Sequence, residues 1–192
     1  MEPLRILIAD DESIRLMSLR KQLVVLGHRV IAEASNGEEA VALAAATQPD
    51  LAILDIKMPV ADGIEAAQQI TRARPIPIIL LTAYNEAELV ERAAQANISA
   101  YLMKPVAEED LLPAITLALI RFRQFEALRR EVSDLREALE ARKIIERAKG
   151  ILMRRLGLTE EEAFRRLQKQ SQDSNRKLAE VAEAIVMADR LL

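Results

Sequence analysis

The sequence predicts an α/β fold, a doubly wound five-stranded parallel sheet, followed by a long linker helix and a small all-α three-helix domain. Three observations predict it. Over the first two-thirds of the 192 residues, short apolar runs alternate with helical patterns, as strands buried on both faces of a parallel sheet do. From about Asp110 the strand-like runs stop and a helical period persists to the end of the chain. The composition is 51% hydrophobic, which supports two real cores and excludes a disordered chain.

The first strand is read at Leu4 to Ala9 (LRILIA), with a helix from Ser13 to Leu26 that Gly27 ends. Arg29 to Ala34 is a second strand, Asn36-Gly37 a turn, and Glu38 to Ala46 a helix. Leu51 to Leu54 forms the third strand, and a loop holding Pro59 and Gly63 leads to a helix from Ile64 to Arg74. Ile76 to Leu81 and Ala100 to Met103 complete the sheet, with a helix from Glu86 to Ala96 between them. Pro113 fits the next helix if it stands in the first turn, where a missing N–H costs nothing. Apolar residues then recur at Phe125, Leu128, Val132, Leu135 and Leu139, a 3-4-3-4 spacing flanked by Arg and Glu. The closing helices are read as Ile144–Leu156 ending at Gly157, one opened by the capping box Thr159-Glu160-Glu161-Glu162, and one capped by Ser174 or Asn175. These elements divide the chain into residues 1–120, a helical linker over 121–143, and an output domain over 132–192 that overlaps the end of the linker.

Charge divides the same way. Residues 1–119 carry 10 basic and 17 acidic side chains, whereas residues 120–143 and 144–192 are each basic by two. An acidic front and a mildly basic rear point to two jobs on one chain. Without cysteine, disulfides, thiolate metal sites and cysteine nucleophiles are excluded. No apolar run approaches the roughly 20 residues of a membrane span, and Met1-Glu2-Pro3-Leu4 has no basic leader, so a soluble cytoplasmic protein is expected.

In open parallel sheets, ligands bind beyond the carboxyl ends of the strands. Asp10 and Asp11 follow the first strand, Asp55 closes the third, Thr82 the fourth and Lys104 the fifth. Three converging carboxylates repel one another unless a cation neutralises them, and Mg²⁺ favours carboxylate and phosphate oxygens. With a lysine and a hydroxyl beside them, they suit phosphoryl transfer onto a carboxylate. A nucleotide-binding sheet is the rival, but no G-x-x-x-x-G-K-[ST] or G-x-G-x-x-G turn follows any strand.

The segments ILIADDE, ILDIKMPVADGIE, IILLTAY and AYLMKP resemble the motifs of the CheY-like receiver family, with its flavodoxin-like fold, over about residues 4–120. The resemblance implies phosphorylation of Asp55 by a histidine kinase. It also implies Mg²⁺ held by Asp10, Asp11, Asp55 and the Lys57 backbone carbonyl, a switch of Thr82 and Tyr101, Lys104 on the phosphoryl group, and a cis Lys104–Pro105 bond. Lys57 and Tyr84 stand where the family tunes phosphate lifetime. Such a chain takes part in phosphotransfer without being an enzyme.

The run from Arg142 through AKGILMRR, then TEEEAFRRL, Ser171 and NRKLAEVA resembles the ANTAR domain, named for the antitermination regulators AmiR and NasR, over about residues 132–190. The resemblance implies binding of RNA stem-loops and transcription antitermination. Phe164, the sole aromatic after residue 125, is read as a core residue, which leaves recognition to cations. The candidates are Lys149, Arg154, Arg155, Arg165, Arg166, Lys169, Arg176 and Lys177. Ala148, Gly150, Ala163 and Ala182 are read as small residues for close helix packing. The apolar seam either pairs two chains in a homodimer, controlled by phosphorylation, or folds back on its own domains. His28, the single histidine, is read as a surface loop residue. The competing outputs are a helix-turn-helix that binds DNA and a protein-interaction adaptor.

Overall fold

The computed structural model describes residues 2–83 and 98–190. The expected helix from Glu86 to Ala96, and Tyr84, lie outside these residues. The described chain falls into two compact units that divide between Glu126 and Ala127.

The first unit holds five parallel strands, β1 (Arg5–Ala9), β2 (Arg29–Ala34), β3 (Leu51–Asp55), β4 (Ile78–Thr82) and β5 (Ala100–Met103), in the order β2-β1-β3-β4-β5. Strand alternation assigns the side chains to two cores. Leu7, Ala52, Leu54, Ile78 and Leu80 point to the face that also buries Ala40, Ala44, Ile64, Ala67 and Ile70. These helical residues belong to α2 (Gly37–Thr47) and α3 (Gly63–Ala73). Ile6, Ile8, Ile53, Ile79 and Leu81 point the other way, onto Leu16, Leu19 and Leu23 of α1 (Ser13–Val25) and onto Leu111, Ile115 and Ala118. At about 1.5–3 kcal/mol for each large side chain buried, these two layers dominate the stability of the unit.

The last three of those residues belong to α4, which runs unbroken from Glu108 to Leu156. This corrects two expectations. The helix starts before Asp110, so Pro113 stands beyond its first turn, where the missing N–H is tolerated because Leu111, Ala114, Ile115 and Ala118 anchor the segment in the core. No break separates the linker from the helix read at Ile144–Leu156, because nothing between Leu139 and Ile144 is a helix breaker. β4 also starts at Ile78, two residues later than read, since Pro75 and Pro77 deny the ladder its donors.

In the second unit, α5 (Glu160–Ser174) and α6 (Leu178–Arg190) pack with the end of α4 around Ala148, Ile151, Leu167, Val181, Ala182 and Val186. The Thr159–Glu162 capping box is present with both of its hydrogen bonds. Ala148, Ala163 and Ala182 are fully buried, as read. Gly150 is not a packing residue: a Cβ there would meet open space. Asn175 caps the end of α5 and not the start of α6. Its φ of 50° is left-handed, and its N–H donates to the Ser171 and Gln172 carbonyls, the job an asparagine does at a helix C-terminus. Ser174 lies inside α5, with its hydroxyl on the Gln170 carbonyl.

Candidate functional site

Parallel strands bring their carboxyl ends to one edge, and the chemistry collects there. Asp10 directly follows β1, Asp55 is the last residue of β3, Thr82 the last of β4, and Lys104 directly follows β5. The Lys104 ammonium lies 2.9 Å from the Asp10 carboxylate and 2.7 Å from that of Asp55. Carboxylate oxygens of Asp10, Asp11 and Asp55 fall within 4.8 Å of one another. Asp10 and Asp55 are buried and Asp11 is exposed, so the cluster opens to solvent on the Asp11 side. A cavity of about 290 Å³ lies there, lined by Asp11, Glu12, Arg15, Asp55, Lys57, Ala83 and Lys104.

One ammonium among three carboxylates leaves the cluster short of positive charge. Arg15 makes up little of the deficit: it stands 3.6 Å from Asp10 but is held 2.7 Å from Glu12. Burial holds the Asp55 carboxyl above the ordinary carboxylate range, opposed by Lys104, with the Asp10 charge adding to the rise. The Lys57 backbone N–H donates to Asp55, and the Glu12 N–H donates to Asp10 at 2.9 Å. Hard oxygen donors with a surplus of negative charge and an open side are the donor set that a small divalent cation requires.

Gly63 sets the wall behind Asp55. Its N–H donates to the Ile56 carbonyl at 2.9 Å, and a Cβ on Gly63 would collide with the Asp55 carbonyl. Sequence reading treated this glycine as a loop residue. The signal for more was its place eight residues after Asp55, at the start of a helix that Asp62 caps through the Glu65 N–H.

Thr82 is buried, its hydroxyl donating to the Ala83 carbonyl at 3.2 Å while its own carbonyl accepts the Lys104 N–H at 2.8 Å. Tyr101 is half-buried against the core that α2 and α3 cover, and burial raises its phenol pKa. The Lys104–Pro105 bond is cis. Asp10, Asp11, Asp55 and Lys104 thus form one cluster, with Lys57 and Thr82 at its margin and Tyr101 on the neighbouring strand.

The basic residues of the second unit divide sharply. Lys149, read as a candidate RNA contact, is only 8% exposed. Its ammonium lies 2.9 Å from Glu146 and 2.7 Å from Glu160. Arg155 pairs with Asp189 at 2.6 Å, with Arg154 at 3.9 Å from the same carboxylate. Arg165 pairs with Glu161 at 2.6 Å and Arg176 with Glu180 at 3.3 Å. Arg166, Lys169 and Lys177 are exposed, and no ion pair to them is found among the described residues. Phe164 is not in the core. It keeps 36% of its surface exposed, because Ala163 and Leu167 take the buried positions of α5.

The model of the response regulator receiver domain matches residues 6–116, and that of the ANTAR domain matches residues 133–186. The chain belongs to the response regulator receiver family and carries a C-terminal ANTAR domain, which makes it a phosphorylation-controlled response regulator. Over 184 residues it is 47% identical to the transcriptional regulatory protein PdtaR of Mycobacterium tuberculosis, covering 96% of this chain and 90% of that one. The positive alginate biosynthesis regulatory protein of Pseudomonas aeruginosa matches only 60% of the chain, at 42% identity and over 47% of its own length. Among solved structures, the receiver domain of a modulated diguanylate cyclase from Desulfovibrio desulfuricans superposes with a TM-score of 0.60 at 35% identity, covering 64% of this chain and 98% of that one. A CheX-CheY-BeF3-Mg+2 complex from Borrelia burgdorferi gives 0.56 at 27% identity, covering 59% and 87%. No helix of the described residues is long and apolar enough to cross a membrane.

Proposed function

We propose that Asp55 accepts a phosphoryl group from a histidine kinase and that the ANTAR unit, so controlled, binds RNA stem-loops in transcription antitermination. The observation that carries the first half is the Lys104 ammonium within 3 Å of both Asp10 and Asp55. In the transfer, an Asp55 carboxylate oxygen forms a bond to phosphorus, the phosphorus–nitrogen bond of the phosphohistidine breaks, and the electron pair stays on the imidazole. Lys104 balances the charge that gathers on the phosphoryl oxygens, an electrostatic contribution worth several kcal/mol at such sites. Mg²⁺, held by Asp10, Asp11 and Asp55 with the Lys57 carbonyl, would supply further positive charge there. Asp55 then carries about 1.5–2 negative charges in place of one, which frees Lys104 to favour phosphoryl oxygens over Asp10. Thr82, whose carbonyl is bonded to the Lys104 N–H, and Tyr101 lie on the path by which that change leaves the pocket.

The output half rests on the ANTAR match and on the exposed cations Arg166, Lys169 and Lys177. The apolar seam Phe125–Leu139 supports pairing of two chains, since every member is exposed, from 42% at Val132 to 64% at Leu135. A homodimer would offer two equivalent RNA-binding surfaces.

Two measurements test the reading. Incubation with acetyl phosphate and Mg²⁺ should add one phosphoryl mass to the chain and none to Asp55→Asn, with chelation of the metal abolishing the gain. Equal labelling of both proteins would remove Asp55 from its role. Gel shifts at physiological salt should then favour stem-loop RNA over duplex DNA. Duplex binding alone would make the output a DNA reader, and binding of neither would make it a protein adaptor.

A further inference from the structure

We infer that Phe164 is a stacking platform for one unpaired RNA base, while the phosphates are held by cations on another face of α5; the inference rests on the RNA-binding reading above. Phe164 is the only aromatic side chain in residues 127–192. It lies outside the hydrophobic cluster of its unit and stays 36% exposed. Single apolar side chains at a surface are ordinary, so what surrounds this ring decides what can cover it.

The charges around the ring select what that can be. The Lys149 ammonium lies 5.9 Å from the ring centroid, but it is already shared between Glu146 and Glu160. Next along the helix, Arg165 is spent on Glu161. Three carboxylates against two cations make this a poor place for a phosphate. They do not repel an uncharged planar base, and stacking is available to every base because each has a π-face.

Helix geometry adds a reader for the base edge. At 100° per residue, Gln168 stands one turn beyond Phe164 on the same face, and Gln172 a turn further; both are exposed. Their amides donate and accept, the pairing that an adenine edge or its analogues can return. Arg166 and Lys169 project from a different side of α5, roughly 200° and 140° around the axis from Phe164. No ion pair to either is found among the described residues, which suits them to the nucleic-acid backbone.

The test uses the full chain and a stem-loop enriched by it from a pool of RNAs with randomised loops. Phe164→Leu should weaken binding about 5- to 150-fold, the loss of one stacked base, with the salt dependence unchanged. Arg166→Ala and Lys169→Ala should instead make the salt dependence shallower, by about one ion each. Phe164→Tyr should bind as the parent does. An abasic site at one loop position should weaken the parent as much as Phe164→Leu does, and the two losses should not add. A Phe164→Leu chain that binds as tightly as the parent, or losses that add at every loop position, would overturn the inference. If Phe164→Leu proves unfolded, 2-aminopurine placed through the loop decides with the parent chain: quenching at one position on binding supports the platform, and quenching at none rejects it. A parent chain that enriches no RNA from the pool fails at the earlier step, and both readings fall together.

Discussion

His28 shows how one side chain can be tied to pH by its surroundings. It was read as a loop residue at the surface, yet it is 4% exposed. Nδ1 accepts the Leu4 N–H at 3.3 Å, and Nε2 is buried without a hydrogen-bond partner among the described residues. Only the neutral ring can accept at Nδ1, and burial, the chief cause, pushes the pKa below its ordinary 6.5. The folded state therefore resists a proton that the unfolded chain takes up. Stability from this group is present above about pH 6.5 and is lost as the pH falls below it. One proton limits the slope to about 1.4 kcal/mol per pH unit. Urea midpoints measured from pH 7.5 to 5.5 should fall more steeply for the parent than for His28→Gln, and parallel lines would dismiss the argument. This burial was not legible in the sequence, because the partner is a backbone group 24 residues away. Lys149 was misread for a related reason: one of its two carboxylates, Glu160, lies across a turn in another helix.

At the scale of elements, the loop between β3 and α3 stores strain beside the pocket. Val60 has φ +71°, and the Ala61 N–H donates back to the Pro59 carbonyl at 2.9 Å. This is a tight three-residue turn with a β-branched residue in the left-handed region, where only glycine is comfortable. Such a conformation costs about 1–3 kcal/mol. The Val60 side chain is exposed, so its removal forfeits no packing, while glycine loses about 0.5–1 kcal/mol more conformational entropy on folding. Val60→Gly should therefore stabilise the chain by about 0.5–2 kcal/mol, read as a higher urea midpoint with an unchanged m-value. A lower midpoint would show that the turn carries no strain. Regular elements were legible in the sequence where local chemistry decides them: the strand alternation, the capping box at Thr159, and the acidic and basic residues at strand ends. The turn at Val60, the glycine contact at Asp55 and the switch of Asn175 from one helix to its neighbour were not. Each depends on backbone torsions or on a neighbour that periodicity does not encode.

Across the whole molecule, the seam on α4 is the feature that a single chain leaves unresolved energetically. Five apolar side chains at a/d spacing stand on one helix, and the single chain leaves between 42% and 64% of each exposed. With Phe125, Val132 and Leu139 at a and Leu128 and Leu135 at d, the e positions are Arg129, Arg136 and Lys143, and Glu131 occupies g. In a parallel pair, Glu131 of each chain would face Arg136 of its partner. An antiparallel pair would set the e cations against one another. Charge would thus select the parallel arrangement of such a pair, and a seam of about two heptads would keep it weak and open to control. Treatment with beryllofluoride and Mg²⁺, a stable substitute for the phosphoryl group, should shift the sedimenting species from monomer toward dimer. Leu135→Glu should hold the chain as monomer under the same conditions while leaving uptake of phosphoryl groups at Asp55 intact. Charge reversal separates this from a general loss of fold: Glu131→Arg should weaken the dimer, and Glu131→Arg combined with Arg136→Glu should restore it. A parent chain that stays monomeric with beryllofluoride, or a double variant no better than the single one, would leave the seam without this partner.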